Sequence, residues 1–320
     1  MNRVDLEPLP DADDLAKIGA NWELQEFHFI RKMENIVYSC QRNGEKVFLR
    51  LTSPLRRSRD EIVAELDWIE FLTGEHIPVA RPVKSIRGDL SETVYVRGRQ
   101  FEACVFREIL GEHPTERIFQ DGKFLFDLGV LLARMHEASL NYSSSHRREN
   151  WYEERGLRHA REAARSSKHT VLRNQLEKSI EWMKNLSKEN YGLIHADCGP
   201  SNLFIQPDGT ISLIDFDDCC YHWFAFDVAF VVYSLALNSC HEKFDVLERQ
   251  WLENLLSGYR SIRVFSERDE KLIPRFVEFA CLRIIFWIEY HENLGTFRDE
   301  VLLGVNKIKQ WAIKRVLGLS

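Results

Sequence analysis

One stretch, residues 191–218, constrains this chain more than any other. It reads Tyr191-Gly192-Leu193-Ile194-His195-Ala196-Asp197-Cys198-Gly199-Pro200-Ser201-Asn202, then a short hairpin turned by Pro207-Asp208-Gly209, then Ile214-Asp215-Phe216-Asp217-Asp218. Apolar residues dominate the hairpin, and carboxylates with an amide stand at its two ends. Closing such a hairpin brings Asp197, Asn202 and Asp215 to one end of it. Three oxygen-bearing side chains meeting where strands stop suit Mg²⁺, a hard cation that takes one or two carboxylates together with phosphate oxygens. The pattern points to a phosphoryl-transfer centre.

At 320 residues the chain exceeds the usual size of one hydrophobic core, which predicts two lobes. Its 44% apolar and 29% charged residues describe an ordinary soluble protein, and a formal charge of −6 argues against nucleic acid as the main partner. The first eight residues lack the basic and apolar parts of a signal peptide. The longest apolar run, Trp223 to Leu237, contains Asp227 and is too short to span a bilayer. Seven cysteines, an odd and scattered set, fit buried thiols in a reducing cytosol. The expectation is a cytoplasmic protein with no membrane partner.

Along the chain, residues 11–19 read as a short helix ended by glycine. Strands are predicted at 27–30, 36–40 and 46–51, with Arg42-Asn43-Gly44 as a hairpin turn. Ser58-Arg59-Asp60-Glu61 is a capping box opening a helix whose core face is Ile62, Leu66, Ile69 and Phe71 or Leu72, closed by Gly74. Strands return near 93–96 and 100–106, and 108–111 is a connector. Beyond it Leu125, Leu128, Leu131, Leu132 and Met135 recur at helical spacing. Two charged helices are expected within 151–188, and further helices near 223–239, 243–261, 270–292 and 297–317. This predicts an α+β chain, with a small antiparallel-sheet lobe over 1–106 and a larger, mainly helical lobe over 107–320.

The ordered set His195-x-Asp197-x₄-Asn202, then Asp215-Phe216-Asp217, resembles the aminoglycoside phosphotransferase and choline kinase-like group, small-molecule relatives of the protein kinases. The resemblance covers nearly the whole chain and implies a protein-kinase-like two-lobed fold, ATP and Mg²⁺ as cofactors, and a small-molecule hydroxyl as acceptor. By it, Asp197 is the catalytic aspartate that accepts the hydroxyl proton, and Asn202 and Asp215 are the metal ligands. His195 packs beneath the loop, and Asp227 holds the loop by its backbone amides. Arg50 takes the position of the phosphate-binding lysine, with Glu65 as its partner, although Glu61 competes for it. Backbone groups of Arg107, Glu108 and Ile109 meet the adenine edge.

Two departures stand out. Arginine replaces lysine at position 50, and the phosphate-covering turn Arg31-Lys32-Met33-Glu34-Asn35 contains no glycine. Asp217 and Asp218 are open to two readings, contacts to a cationic substrate or caps and metal tuning. Trp287, Glu289 and Tyr290, on a late aromatic helix, are either core or acceptor site. Competing readings of the whole are a nucleotide-binding scaffold without turnover, a kinase of protein serine or threonine, and a zinc hydrolase built from His195, Cys198, Cys219, Cys220 and His222.

Overall fold

The protein is represented by a computed structural model that describes residues 7–239, 244–297 and 299–319. Asp11 opens α1 (Ala12–Gly19) through a capping box with Asp14. Strands β1 (Gln25–Lys32), β2 (Ile36–Arg42) and β3 (Glu45–Thr52) follow as a meander. The β2–β3 turn uses Asn43 and Gly44, both at positive φ (52° and 79°), the backbone of a tight hairpin turn. Ser58 and Glu61 form the expected capping box at the start of α2 (Arg59–Gly74). After β4 (Pro82–Val83), β5 (Ser91–Val96) and β6 (Arg99–Arg107), the chain runs through α3 (Gly122–Asn141), α4 (Arg155–Ser166), α5 (Thr170–Lys184), β7 (Tyr191–Ile194), β8 (Leu203–Ile205), β9 (Ile211–Leu213) and β10 (Cys220–Trp223). Helices α6 (Phe224–Ser239), α7 (Phe244–Arg260), α8 (Glu267–Leu294) and α9 (Asp299–Leu317) complete it. Among the described residues, no helix is long and apolar enough to cross a membrane.

The chain divides into two compact units. The smaller comprises residues up to 111 together with 142–148 and 206–217; the larger comprises 112–141, 149–205 and 218 onwards. The first break falls at 111, and two later segments return to the smaller unit. Those segments could not be assigned from a linear reading, because they carry side chains that pack against α2 and the sheet.

In the smaller unit an antiparallel sheet runs β1-β2-β3-β6-β4, with β5 also paired to β6. Alternation along β3 sends Val47, Leu49 and Leu51 into a core shared with Trp22, Tyr38, Phe101 and Val105. The opposite face meets α2, where Ile62 and Leu66 pack on Cys104. Trp22 secures its buried N–H by donating to Val83 O at 2.8 Å. Tyr142 from a returning segment donates to Asp67 on α2 at 2.7 Å and lays its ring on Trp68 and Phe71.

In the larger unit β7 and β10 pair antiparallel, and α6 follows β10 directly, buried along nearly its whole length. Helices α3 and α7 approach so closely that glycine is required on both. A Cβ at Gly129 would stand 2.0 Å from Leu255 O, and one at Gly258 1.9 Å from Phe126 O. Helix α8 starts before the expected residue 270, because Ser266 and Asp269 make a capping box, and it continues through Pro274. Residue 243, the expected start of the preceding helix, lies outside the described residues, as does Cys240. The six other cysteines are buried free thiols.

Gly129→Ala is expected to lower the free energy of unfolding by about 1–3 kcal/mol through overpacking against the α7 backbone. Gly304→Ala on α9, where a Cβ meets nothing within 4 Å, is expected to stabilise by about 0.5–1 kcal/mol. Urea denaturation of both variants checks the contrast.

Candidate active site

The site in the smaller unit begins with β3. Its alternation turns Arg50 away from the Leu49 and Leu51 core, toward α2, and Glu65 stands opposite. Arg50 Nη1 and Nη2 donate to Glu65 Oε1 and Oε2 at 2.8 and 2.7 Å, a fork-to-fork pair that is almost fully buried. Burial works against the Arg50 charge, but Cys104, Glu65 and Asp215 outweigh it and hold the guanidinium well above its usual value. Burial also works against the Glu65 charge, and Arg50 first, with Arg148 and Arg57 beyond it, keeps that carboxyl below its usual range. Glu61 is not the partner: its carboxylate serves the Ser58 cap and accepts from Arg57 at 3.1 Å.

Asp215 joins this pair from the returning segment. Its Oδ1 lies 4.0 Å from Arg50 Nη1, and its Oδ2 lies 3.6 Å from Arg31 Nη2. The residue holds a left-handed backbone, φ 61°, which aspartate tolerates better than most side chains do. Arg107 closes β6 in the ladder pair Val47↔Arg107, and Glu108 and Ile109 follow it. Arg107 and Glu108 spend their side chains on Glu45 and Lys46 of β3, at 2.9 and 2.7 Å.

Asp217 meets none of the conditions for binding a cationic substrate. Its carboxylate is bonded to Arg56 and accepts from Arg57 Nε at 3.1 Å, and its carbonyl accepts from Arg57 and Arg148 at 2.8 and 2.6 Å. Only 6% of the side chain is exposed, so its role is to fix the returning segment inside three guanidinium groups. No local spacing signals this, since Arg56, Arg57 and Arg148 are far from residue 217 along the chain.

In the larger unit the loop after β7 is held by Asp227 of α6, which is 0% exposed. Asp227 accepts from His195 N at 3.0 Å, from Ala196 N at 2.8 Å, and lies 3.2 Å from His136 Nε2. Between those amides and Asp197, Ala196 takes φ 64°, a conformation that costs about 1–3 kcal/mol and persists only under such constraint. Asp197 N donates to His195 Nδ1 at 3.2 Å, and Asn202 Nδ2 donates to both Asp197 O and Oδ2 at 2.9 and 2.8 Å. Asn202 thereby orients the acid and has its Oδ1 left as the atom suited to a cation.

Arg283 of α8 is a residue the sequence reading did not single out. It is paired with Glu154 at 3.3 Å, while Glu154 also caps α4 by accepting from Gly156 N and Leu157 N. Burial opposes its charge, yet Glu154, Asp218 and Asp197 hold the guanidinium above its ordinary value. Arg283, Glu154, Ala196 and His222 border a cavity of about 10 Å³, room for one water molecule. A lone arginine within an apolar helical stripe carries no sequence signal.

Other expectations fare differently. Trp287 packs its ring against His291, one turn further along α8, at 4.2 Å, and Glu289 lies 3.5 Å from Lys309 of α9 and 3.7 Å from His169, so Glu289 ties α8 to its neighbours. Tyr290 lies flat on His159. The zinc set does not assemble: no three His, Cys, Asp or Glu side chains among the described residues are arranged to hold a metal. His195 Nδ1 is committed to Asp197 N, and burial pushes the Cys198 thiol well up.

A sheet carrying a buried arginine–glutamate pair, with a helical unit carrying a clamped His-Ala-Asp loop, defines a phosphotransferase of protein-kinase-like fold. The chain belongs to the phosphotransferase enzyme family, whose pattern it matches over residues 28–265. It is 26% identical to amicoumacin kinase of Bacillus subtilis (strain 168) over 90% of this chain and 87% of the relative. It is 27% identical to homoserine kinase of Rhodospirillum rubrum over 72% and 69% respectively. Among solved structures, amicoumacin kinase in complex with AMP-PNP, Ca²⁺ and Ami superposes with a TM-score of 0.82 at 27% identity, covering 93% of this chain and 91% of that one. A microcompartment-associated aminopropanol kinase shares the fold, with a TM-score of 0.72 at 23% identity over 96% and 95%. The relatives are small-molecule kinases, and so is the class to which this chain belongs.

Arg50→Ala is expected to cost about 3–5 kcal/mol by leaving Glu65 charged, buried and unpaired, and adding Glu65→Ala recovers part of that loss. A double-mutant cycle in urea checks the coupling. Burial holds His136 below its usual value although Asp227 pulls the other way, and burial with the Arg283 charge holds His222 well below it. The unfolded chain takes up protons on these rings below the unperturbed value of about 6.5, whereas the folded protein does not. Stability is therefore full above about pH 6.5 and declines below it, which urea midpoints at about pH 7.5, 6.5 and 5.5 measure.

Proposed function

We propose that the protein transfers the γ-phosphate of ATP to a hydroxyl group of an amine-bearing small molecule. The observation that carries this reading is the Asp227-clamped loop, which presents Asp197 with one carboxylate oxygen already oriented by Asn202 at 2.8 Å. In this reading Asp197 accepts the proton of the attacking hydroxyl and orients its oxygen for in-line displacement. Asn202 fixes the rotamer of Asp197. His195 and Asp227 keep the loop from relaxing the Ala196 backbone, so positioning is built in before substrate arrives.

Asp215 in the smaller unit and Asn202 in the larger each carry an oxygen suited to a divalent cation. Oxygen donors of this kind fit Mg²⁺ better than a thiolate-seeking metal, and the two guanidinium groups 3.6 and 4.0 Å from Asp215 support a carboxylate suited to cations. Mg²⁺ held by Asp215 would neutralise charge on the phosphates. Arg50, locked to Glu65, supplies a fixed positive charge for phosphate oxygens. An amine on the acceptor is supported by Asp218, a partly exposed acid in the electrostatic range of Arg283. It is also supported by the names of relatives, homoserine kinase and aminopropanol kinase, whose acceptors are amino alcohols.

An ADP-release assay across amino alcohols, aminoglycosides, other amine-bearing antibiotics and neutral sugars tests the reading. Asp197→Ala is expected to lower turnover by about 10²–10⁴-fold while leaving nucleotide affinity close to wild type. Asp215→Ala is expected to weaken Mg²⁺-dependent nucleotide binding itself. If wild type binds ATP but no acceptor raises turnover above the Asp197→Ala level, the protein is a nucleotide-binding scaffold instead.

A further inference from the structure

A glycine-rich turn can lay successive backbone amides on phosphate oxygens. The turn between β1 and β2 is built otherwise. Met33 N donates to Asn35 O at 3.1 Å, Asn35 Oδ1 accepts from Thr52 Oγ at 2.9 Å, and Glu34 is ion-paired with Arg56, the same arginine that holds Asp217. Side chains and backbone thus pin the turn to β3 and to the segment after it. A different group has to provide positive charge from this edge of the sheet.

The β1–β2 ladder provides it through a bulge. The register runs Phe29↔Tyr38 and then Arg31↔Val37, so two residues of β1 face one of β2. A regular ladder would set Ile30 opposite Val37 and Arg31 opposite Ile36, which is buried in the core. The bulge moves Arg31 into one row with Val37, Arg50 and Cys104, across the four neighbouring strands β1, β2, β3 and β6 and on the side away from that core. Ile30 is left 52% exposed. Arg31 and Arg50 then flank the two oxygens of Asp215, at 3.6 and 4.0 Å.

The two arginines are held very differently. Arg50 is 8% exposed and gripped by both oxygens of Glu65, whereas Arg31 is 56% exposed and its contact with Asp215 is a long, solvent-facing one. An ion pair this long and this exposed contributes little, so little opposes its exchange for another partner. A cation arriving at Asp215 displaces Arg31 and not Arg50.

The geometry points to Arg31 as a phosphate-binding residue that rests on Asp215 in the nucleotide-free protein and moves to the terminal phosphate of the bound nucleotide. This rests on the reading of Asp215 as a metal ligand given above. The bulge is the structural device that substitutes a side-chain cation for the missing glycine amides, and the exchange couples metal entry at Asp215 to capture of the phosphate.

Calorimetric titration of wild type, Arg31→Ala and Arg31→Lys with AMP-PNP, ADP and AMP, each with Mg²⁺, tests the assignment without turnover. Arg31→Ala is expected to weaken AMP-PNP binding about tenfold, the loss of one charged hydrogen bond, with AMP affinity unchanged and lysine restoring part of the loss. Equal affinity of Arg31→Ala and wild type for AMP-PNP overturns the assignment, and so does an equal loss for AMP and AMP-PNP. A wild-type protein that binds none of the three nucleotides removes the functional reading beneath it as well.

Discussion

The larger unit depends on one buried carboxylate. A charge with no solvent contact is sustained only by hydrogen bonds, and Asp227 has them from two consecutive amides and from His136. It lies in the first turn of α6, where the aligned peptide dipoles favour negative charge. Because α6 is packed on nearly every side, the carboxylate has almost no freedom, and the loop it holds inherits that rigidity. The unfavourable backbone of Ala196 is the local consequence, and the placement of Asp197 one residue later is what that strain achieves.

The smaller unit handles its acids by separating them. Asp215 and Asp217 are two residues apart, yet 30% of one side chain is exposed against 6% of the other. Asp217 is absorbed by arginines and anchors the segment, which leaves Asp215 facing cations it can exchange. A buried, anchored acid thus fixes the backbone on which the more exposed acid is carried. Arg50 and Arg31 repeat the arrangement with the opposite charge.

Much of this was legible in the sequence where the signal is local. The capping box at Ser58, the Asn43-Gly44 turn and the strand at 46–51 depend on neighbours within a few residues, and all are present. The Arg50–Glu65 pair was legible through family resemblance together with one strand and one helix. What escaped depends on distant groups or on ladder details. The arginine cage around Asp217 draws on residues 56, 57 and 148, and no spacing announces it. The bulge at Ile30 is a register shift, which alternation alone does not reveal, and Arg283 is indistinguishable from any helix cation until Glu154 is placed beside it.

The buried sulfurs have a use beyond packing. Burial drives the thiols of Cys40, Cys104 and Cys281 up to about 12, 11 and 12, and Cys198 well up, so the reactive thiolate is scarce at each of them in the native state. They are distributed over both units: Cys40 and Cys104 in the sheet, Cys198 on the loop after β7, and Cys281 on α8. The polypeptide therefore carries built-in chemical clocks. Under a pulse of alkylating reagent each sulfur stays silent until its own surroundings open, and mass spectrometry of the labelled peptides would give an opening rate for each region from the unmodified sequence.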